Sequence, residues 1–298
     1  MKKVLLIGSL VTDVRQSVRR LPKGNEEFQF LNEGKMRLSG SGYIPCNILN
    51  GFGFDYEFFP LVGSGVYGDF ASEESDRMDI PYIRCDETAG CTFTIQDELG
   101  EESTMIAEGC EYEFDYTILQ DSDPEEIAFA VVFGDLLCGD NGDDVLRGLE
   151  ELNVPVLYVT AGRADLFELP IADSFMQLHP MFFITDTEGY YLSGEQYHDM
   201  KDVADWVYEK TGNSVYIFQN ERGVFAKDKD GTWFASESSY MQFEHVFSAF
   251  IVALLAGIDE RNGMMFAAHF GTLRRNGLPL KFDYEEQKHR LVELIKGC

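Results

Sequence analysis

The sequence has no run of about 18 consecutive apolar residues, so it offers no helix long enough to cross a membrane. It has no C-x-x-C pair. Its six cysteines (Cys46, Cys85, Cys91, Cys110, Cys138, Cys298) are scattered, and none has zinc-like spacing with any of the five histidines. They read as reduced thiols in a cytoplasmic protein. Basic residues are scarce: 24 Lys and Arg stand against 52 Asp and Glu, a net charge of -28. Such a field repels phosphates, which argues against nucleic acid and anionic membranes as partners and favours solubility. No linker rich in Pro, Ser or Gly interrupts the chain, and there is no internal repeat or low-complexity tract. What is present is 298 residues with 45% hydrophobic content, which suits one large domain with, at most, a small lid.

The opening "MKKVLLIGSLVTD" superficially resembles a signal peptide. Asp13 interrupts its apolar run and no small-residue cleavage site follows, so residues 3–8 are expected to form a buried strand. Residues 24–39 alternate apolar and polar side chains and are expected as exposed strands. "SGSGYIPCNILNGFG" is expected to open a helix with Pro45 in its first turn. "YEFFPLVG" reads as a second buried strand and "YGDFASEESDRM" as a helix. Residues 82–107 hold two β-rich runs around the turn signal "DELGEE". Beyond them, "IAFAVVFGDL", "VPVLYVTAG" and "FFITD" alternate with helical stretches, and "SVYIFQNERGVFAKD" reads as a strand pair. Strands alternating with helices imply a largely parallel sheet covered on both faces. The early β-rich segments do not fit that alternation and suggest a separate small sheet. In "QFEHVFSAFIVALLAGID", Phe250, Ile251, Leu254, Leu255 and Ile258 recur at the spacing of a buried helix.

This ordered set of segments resembles the ribokinase-like, or PfkB, family of carbohydrate and nucleoside kinases. The resemblance rests on "IGSLVTD", "RLPKGNEE", "SGSGYIPCNILNGFG", "LVGSGVYGDF", "FTIQDELGEESTMI" and "SAFIVALLAGIDERNGMMFAAHFGTL", and spans nearly the whole chain. It implies a single α/β domain over 1–298, a three-layer αβα fold with a mainly parallel central sheet. It implies a small β-sheet lid from about 14–39 and 82–109. The implied activity is transfer of the γ-phosphoryl of ATP, with Mg2+, to a hydroxyl of a sugar or nucleoside. A lid sheet with exposed strands invites a partner, so a homodimer joined through the lid is expected.

Four working parts follow from the resemblance. On the substrate side, Asp13 would accept hydrogen bonds from sugar hydroxyls, with Gly42 and Asn47 alongside; the family's Gly-Gly pair is here Gly42-Tyr43. The metal motif N-x-x-E corresponds to Thr185-Asp186-Thr187-Glu188, where Glu188 and Asp186 would attract magnesium or simply form a solvated helix start. The nucleotide stretch T-x-G-x-x-G corresponds to Phe218 through Gly223. Only Gly223 survives, Phe218 replaces a hydroxyl residue and Asn220 replaces a glycine. The anion-hole motif G-A-G-D corresponds to His245, Val246, Phe247 and Ser248. Both glycines carry side chains here, and Ser248 stands where the family has its catalytic aspartate, with no useful basicity near neutral pH.

The departures concentrate on the nucleotide and catalytic side. Three readings follow: a divergent kinase with Asp186, Glu188 or Glu244 as substitute base; a non-catalytic small-molecule-binding or regulatory protein; and a structural dimerisation partner. A Ser248–His245 hydrolase is disfavoured, because Glu244 and His245 as sequence neighbours would point apart and leave no third group to orient the base. Glu244 or Ser248 is expected to cap the helix start.

Overall fold

The structure is a computed structural model and describes residues 2–22, 24, 33–98, 102–137, 141–161, 169–219, 222–236, 241–273 and 284–297. In chain order, β1 (Lys3–Ile7), β2 (Val11–Ser17) and β3 (Glu33–Ser39) precede α1 (Tyr43–Phe52), whose first turn holds Pro45 where no intrahelical N–H is needed. Next come β4 (Tyr56–Phe58), β5 (Leu61–Ser64), α2 (Val66–Arg77), β6 (Ile83–Thr88), β7 (Cys91–Gln96) and β8 (Glu102–Ala107). The alternating half follows: β9 (Ile127–Phe133), α3 (Asn141–Leu152), β10 (Val156–Val159), α4 (Leu169–Met176), β11 (Met181–Thr185), α5 (Asp186–Leu192), α6 (Met200–Thr211) and β12 (Val215–Gln219). The chain ends with β13 (Gly223–Asp228), β14 (Gly231–Ala235), α7 (Phe243–Leu255), α8 (Glu260–Leu273) and α9 (Tyr284–Gly297).

By contacts the chain forms two compact units. One comprises residues 1–7, 44–57 and 114–298, and the other 8–43 and 58–113. The first holds an 8-stranded sheet in the order β14-β13-β12-β11-β10-β9-β1-β4. Pairings from β1 through β12 are parallel, and the β12–β13 and β13–β14 pairings are antiparallel. Strands covered on both faces must be apolar throughout, and β9, β10 and β12 are buried along nearly their whole length.

α7 buries nine of its 13 residues. Phe250 alone, fully buried, contributes roughly 2–3 kcal/mol of transfer free energy. The helix stops where Gly257 takes a left-handed φ of 77°. The Ile258 and Gly257 amides then reach back to the carbonyls of Ala253 and Leu254, closing the end as a Schellman motif. Among the described residues, no helix is long and apolar enough to cross a membrane.

The second unit holds a 4-stranded sheet, β3-β2-β7-β8, and the pair β5-β6. The single buried strand expected at 56–63 is instead two short strands in different sheets. Pro60 lies between them; it has no N–H to continue a ladder, and its carbonyl accepts from Ile83. The β-rich runs of 82–107 form β6, β7 and β8, and β7 and β8 pair antiparallel as the turn signal implied. Of the expected strands at 24–39, residues 33–39 form β3; residues 25–32 lie outside the described residues. Beside this sheet, the turn Cys110–Tyr112 carries a buried acid, Glu111. Its Oε2 accepts from the Gly90 amide at 2.9 Å, and among the described residues its Oε1 has no hydrogen-bond partner. Burial pushes this carboxyl above the ordinary value of 4.5, against the lowering effect of N–H donors from Gly90, Glu111 itself and Gly109.

Candidate functional site

α7 begins at Phe243 with Gln242 as its N-cap, and the Gln242 side chain makes no capping bond. The amides of His245 and Val246 both donate to the Gln242 carbonyl, at 3.2 and 3.1 Å. The stretch His245–Ser248 therefore lies inside the helix, and its backbone donors are engaged in it instead of converging on an anion. Ser248 does not cap the helix, contrary to expectation: it lies in the second turn, fully buried. Its Oγ donates back to the Glu244 carbonyl at 2.6 Å, a common use of a serine hydroxyl inside a helix.

Phe247 occupies a cluster built from four segments of the chain. Its ring lies 5.6 Å from Phe133, 6.3 Å from Phe183 and 5.2 Å from Phe243. Phe243 in turn meets Phe183 and Phe218, each at 5.4 Å. Phe133, Phe183, Phe218 and Phe247 are all buried. Phe133 closes β9 and Phe218 falls one residue before the end of β12, so the cluster fills space near the carboxyl ends of the parallel strands. That is where open α/β sheets ordinarily receive ligands.

The stretch aligned with the nucleotide motif is a hairpin between β12 and β13. Gly223 has a φ of 122°, and a Cβ there would meet the Ala235 carbonyl oxygen at 2.3 Å. Its glycine is thus required by the close approach of β14. Asn220 lies outside the described residues.

Glu188 is buried and acts in a capping box. The Glu188 amide donates to Thr185 Oγ1, while Glu188 Oε2 accepts from the Thr185 amide at 3.0 Å and from Thr185 Oγ1 at 2.8 Å. The Thr160 hydroxyl also donates to Oε2. This arrangement fixes the start of α5. Of the pair read as either a magnesium site or a solvated helix start, Glu188 is the buried member. Asp186 is exposed and accepts from the Thr187 amide at 2.8 Å. Among the described residues, no group of three or more His, Cys, Asp or Glu is placed to hold a metal ion. As arranged, Glu188 is committed to a cap and the amides of His245–Ser248 to a helix, so these residues do not fit a magnesium–triphosphate group.

In the second unit, Asp13 sits on β2 and is 1% exposed. Its Oδ2 accepts from Arg37 Nε at 2.9 Å, and its Oδ1 from the hydroxyls of Thr92 at 3.0 Å and Thr94 at 2.8 Å. Register explains the set, since Asp13 pairs directly with Arg37 on β3 and Thr92 on β7. Gly42 is buried, and a Cβ there would meet the Phe58 ring at 2.4 Å. Asn47 is exposed on α1, in the first unit.

No protein-family model matches the sequence, and no curated protein sequence matches it. Solved structures do match. A ribokinase from Thermotoga maritima is 17% identical with a TM-score of 0.79, the match covering 98% of this chain and 100% of that one. A ribokinase from Arabidopsis thaliana, solved with ribose and ATP, is 15% identical with a TM-score of 0.74, covering 99% of each chain. A nucleoside kinase from Burkholderia thailandensis, solved with inosine, is 14% identical with a TM-score of 0.73, covering 97% of each. The chain therefore has the ribokinase-like fold that its ordered motifs implied.

Proposed function

We propose that this chain is a diverged relative of the PfkB kinases that binds a sugar- or nucleoside-like small molecule and does not transfer phosphoryl groups from ATP. The observation that carries this reading is the state of Ser248: a buried hydroxyl committed to the Glu244 carbonyl, at the position the family gives to its base. Loss of a positioned base costs roughly 10²- to 10⁴-fold in rate. Loss of an oxyanion-type donor costs on the order of 10²- to 10³-fold. Phosphoryl transfer relies on positioning and electrostatics, so little else compensates.

The ligand class comes from the structural neighbours, which hold ribose and inosine in their own sites. Here a diol would have to exchange hydroxyl for hydroxyl with Thr92 and Thr94 at Asp13. Of the alternative substitute bases, Glu188 is engaged in its capping box, which weighs against the divergent-kinase reading. The partner we propose is a second copy meeting the small sheet at β8, an edge strand exposed at every residue, Met105 and Ile106 among them. Unpaired edges of this kind invite strand pairing.

Calorimetric titration tests the reading. Magnesium-ATP at up to ~5 mM is expected to give no binding heat, whereas ribose or inosine gives a saturable one with Kd of about 1 mM or tighter. ATP-dependent phosphorylation of any sugar or nucleoside at about 1 s⁻¹, a common kinase turnover, would overturn it.

A further inference from the structure

β14, α8 and α9 border a recess of about 250 Å³. Phe266, 1% exposed, closes its floor, while Phe234 and Met265 at its margin are 47% and 61% exposed. Asn262 and Ser236 add polar groups to the lining, and among the described residues Arg290 is its sole charged one. Acids outnumber bases by 52 to 24 in this chain, and Arg37, Arg84, Arg147 and Arg261 each hold a carboxylate. Arg290 holds none among the described residues. The recess shares no residue with Asp13, Glu188, the phenylalanine cluster or the start of α7.

We infer that this recess binds a small organic carboxylate with an apolar body. A guanidinium is the side chain best shaped to take a carboxylate through two parallel N–H donors. Phe234, Met265 and Phe266 offer apolar contact that an inorganic anion would not use, and a polyol would leave the charge of Arg290 unanswered. The volume lies below the roughly 300–1,000 Å³ of drug-sized sites, which selects a ligand smaller than a nucleotide. Asn262 and Ser236 provide for one further polar group on that ligand.

The test is a ligand-observed NMR titration of the full chain with 3-phenylpropionate, its neutral amide and inorganic phosphate as probes. The acid is expected to bind with a Kd of about 1 mM or tighter, and the amide and phosphate at least about tenfold more weakly. Arg290→Gln is expected to bring the acid down to the level of the amide, and Arg290→Lys to retain part of the difference. Met265→Glu is expected to abolish binding of the acid. Circular dichroism checks that each variant is folded. Equal binding of acid and amide, equal or tighter binding of phosphate, unchanged binding by Arg290→Gln, or no binding of the acid at ~10 mM would each overturn the inference.

Discussion

Ser248 donates its hydroxyl to the Glu244 carbonyl oxygen at 2.6 Å, one turn earlier on α7. The bond places the side chain along its own helix, in a position without solvent access. Phe247, next to it, points its ring among Phe133, Phe183 and Phe243. Placing an aspartate or a glycine at these positions would therefore act on a packed core.

Ser248→Asp is expected to destabilise the protein by about 3 kcal/mol, the cost of burying a carboxylate with no partner, and to give no kinase turnover. Thermal denaturation and a coupled ADP-release assay check both. A variant with unchanged Tm and turnover above about 0.1 s⁻¹ would mean that α7 opens readily into a working anion hole.

Asp13→Ala is expected to lower stability by about 2 kcal/mol, because Thr92, Thr94 and Arg37 lose a charged acceptor. Most of that loss comes from the two hydroxyls: the Arg37 side chain is 53% exposed and its ion pair is screened. A urea midpoint shift with unchanged m-value is the readout. No shift at all would mean that Asp13 is held in reserve for a ligand.

Glu111 makes stability depend on pH. Its folded carboxyl holds a proton more firmly than the unfolded chain does. The stabilisation is thus complete below the ordinary value of 4.5 and is lost as pH rises through the raised folded value. Glu111→Gln cannot ionise, so it is expected to lose less stability than the parent between about pH 4 and 7. Parallel stability profiles for the two proteins would show that burial does not perturb this acid.

Much of the fold was legible because it depends on local patterns. Phe250, Ile251, Leu254 and Leu255 mark α7 by spacing alone, and "IAFAVVF" could be little other than a buried strand. The site was harder to read. Thr185 and Glu188 fit the spacing of a capping box as well as that of an N-x-x-E-like stretch, and the capping bonds are visible only in the structure. The partners of Asp13 come from β3 and β7, distant in sequence, so the spacing around Asp13 could not disclose them. The phenylalanine cluster had one local sign, the four-residue step from Phe243 to Phe247 that puts both rings on one helix face. Phe133, Phe183 and Phe218 join it only through the order of the strands. The apolar run through Pro60 looks like one strand by hydrophobicity, and only the amide that proline lacks separates it into two.

The pairing of Lys3 with Ile127 begins a ladder that runs to Ile7 and Val132. On the other side, among the described residues, β1 has only the three-residue β4. During synthesis this apolar strand must wait until β9 has left the ribosome before it gains its long partner, while everything between them is already outside. Closing so large a loop before its contacts form is slow, and an unpaired "KVLLI" is adhesive meanwhile. The interval between making β1 and making β9 is thus a natural window for chaperone capture of the nascent chain.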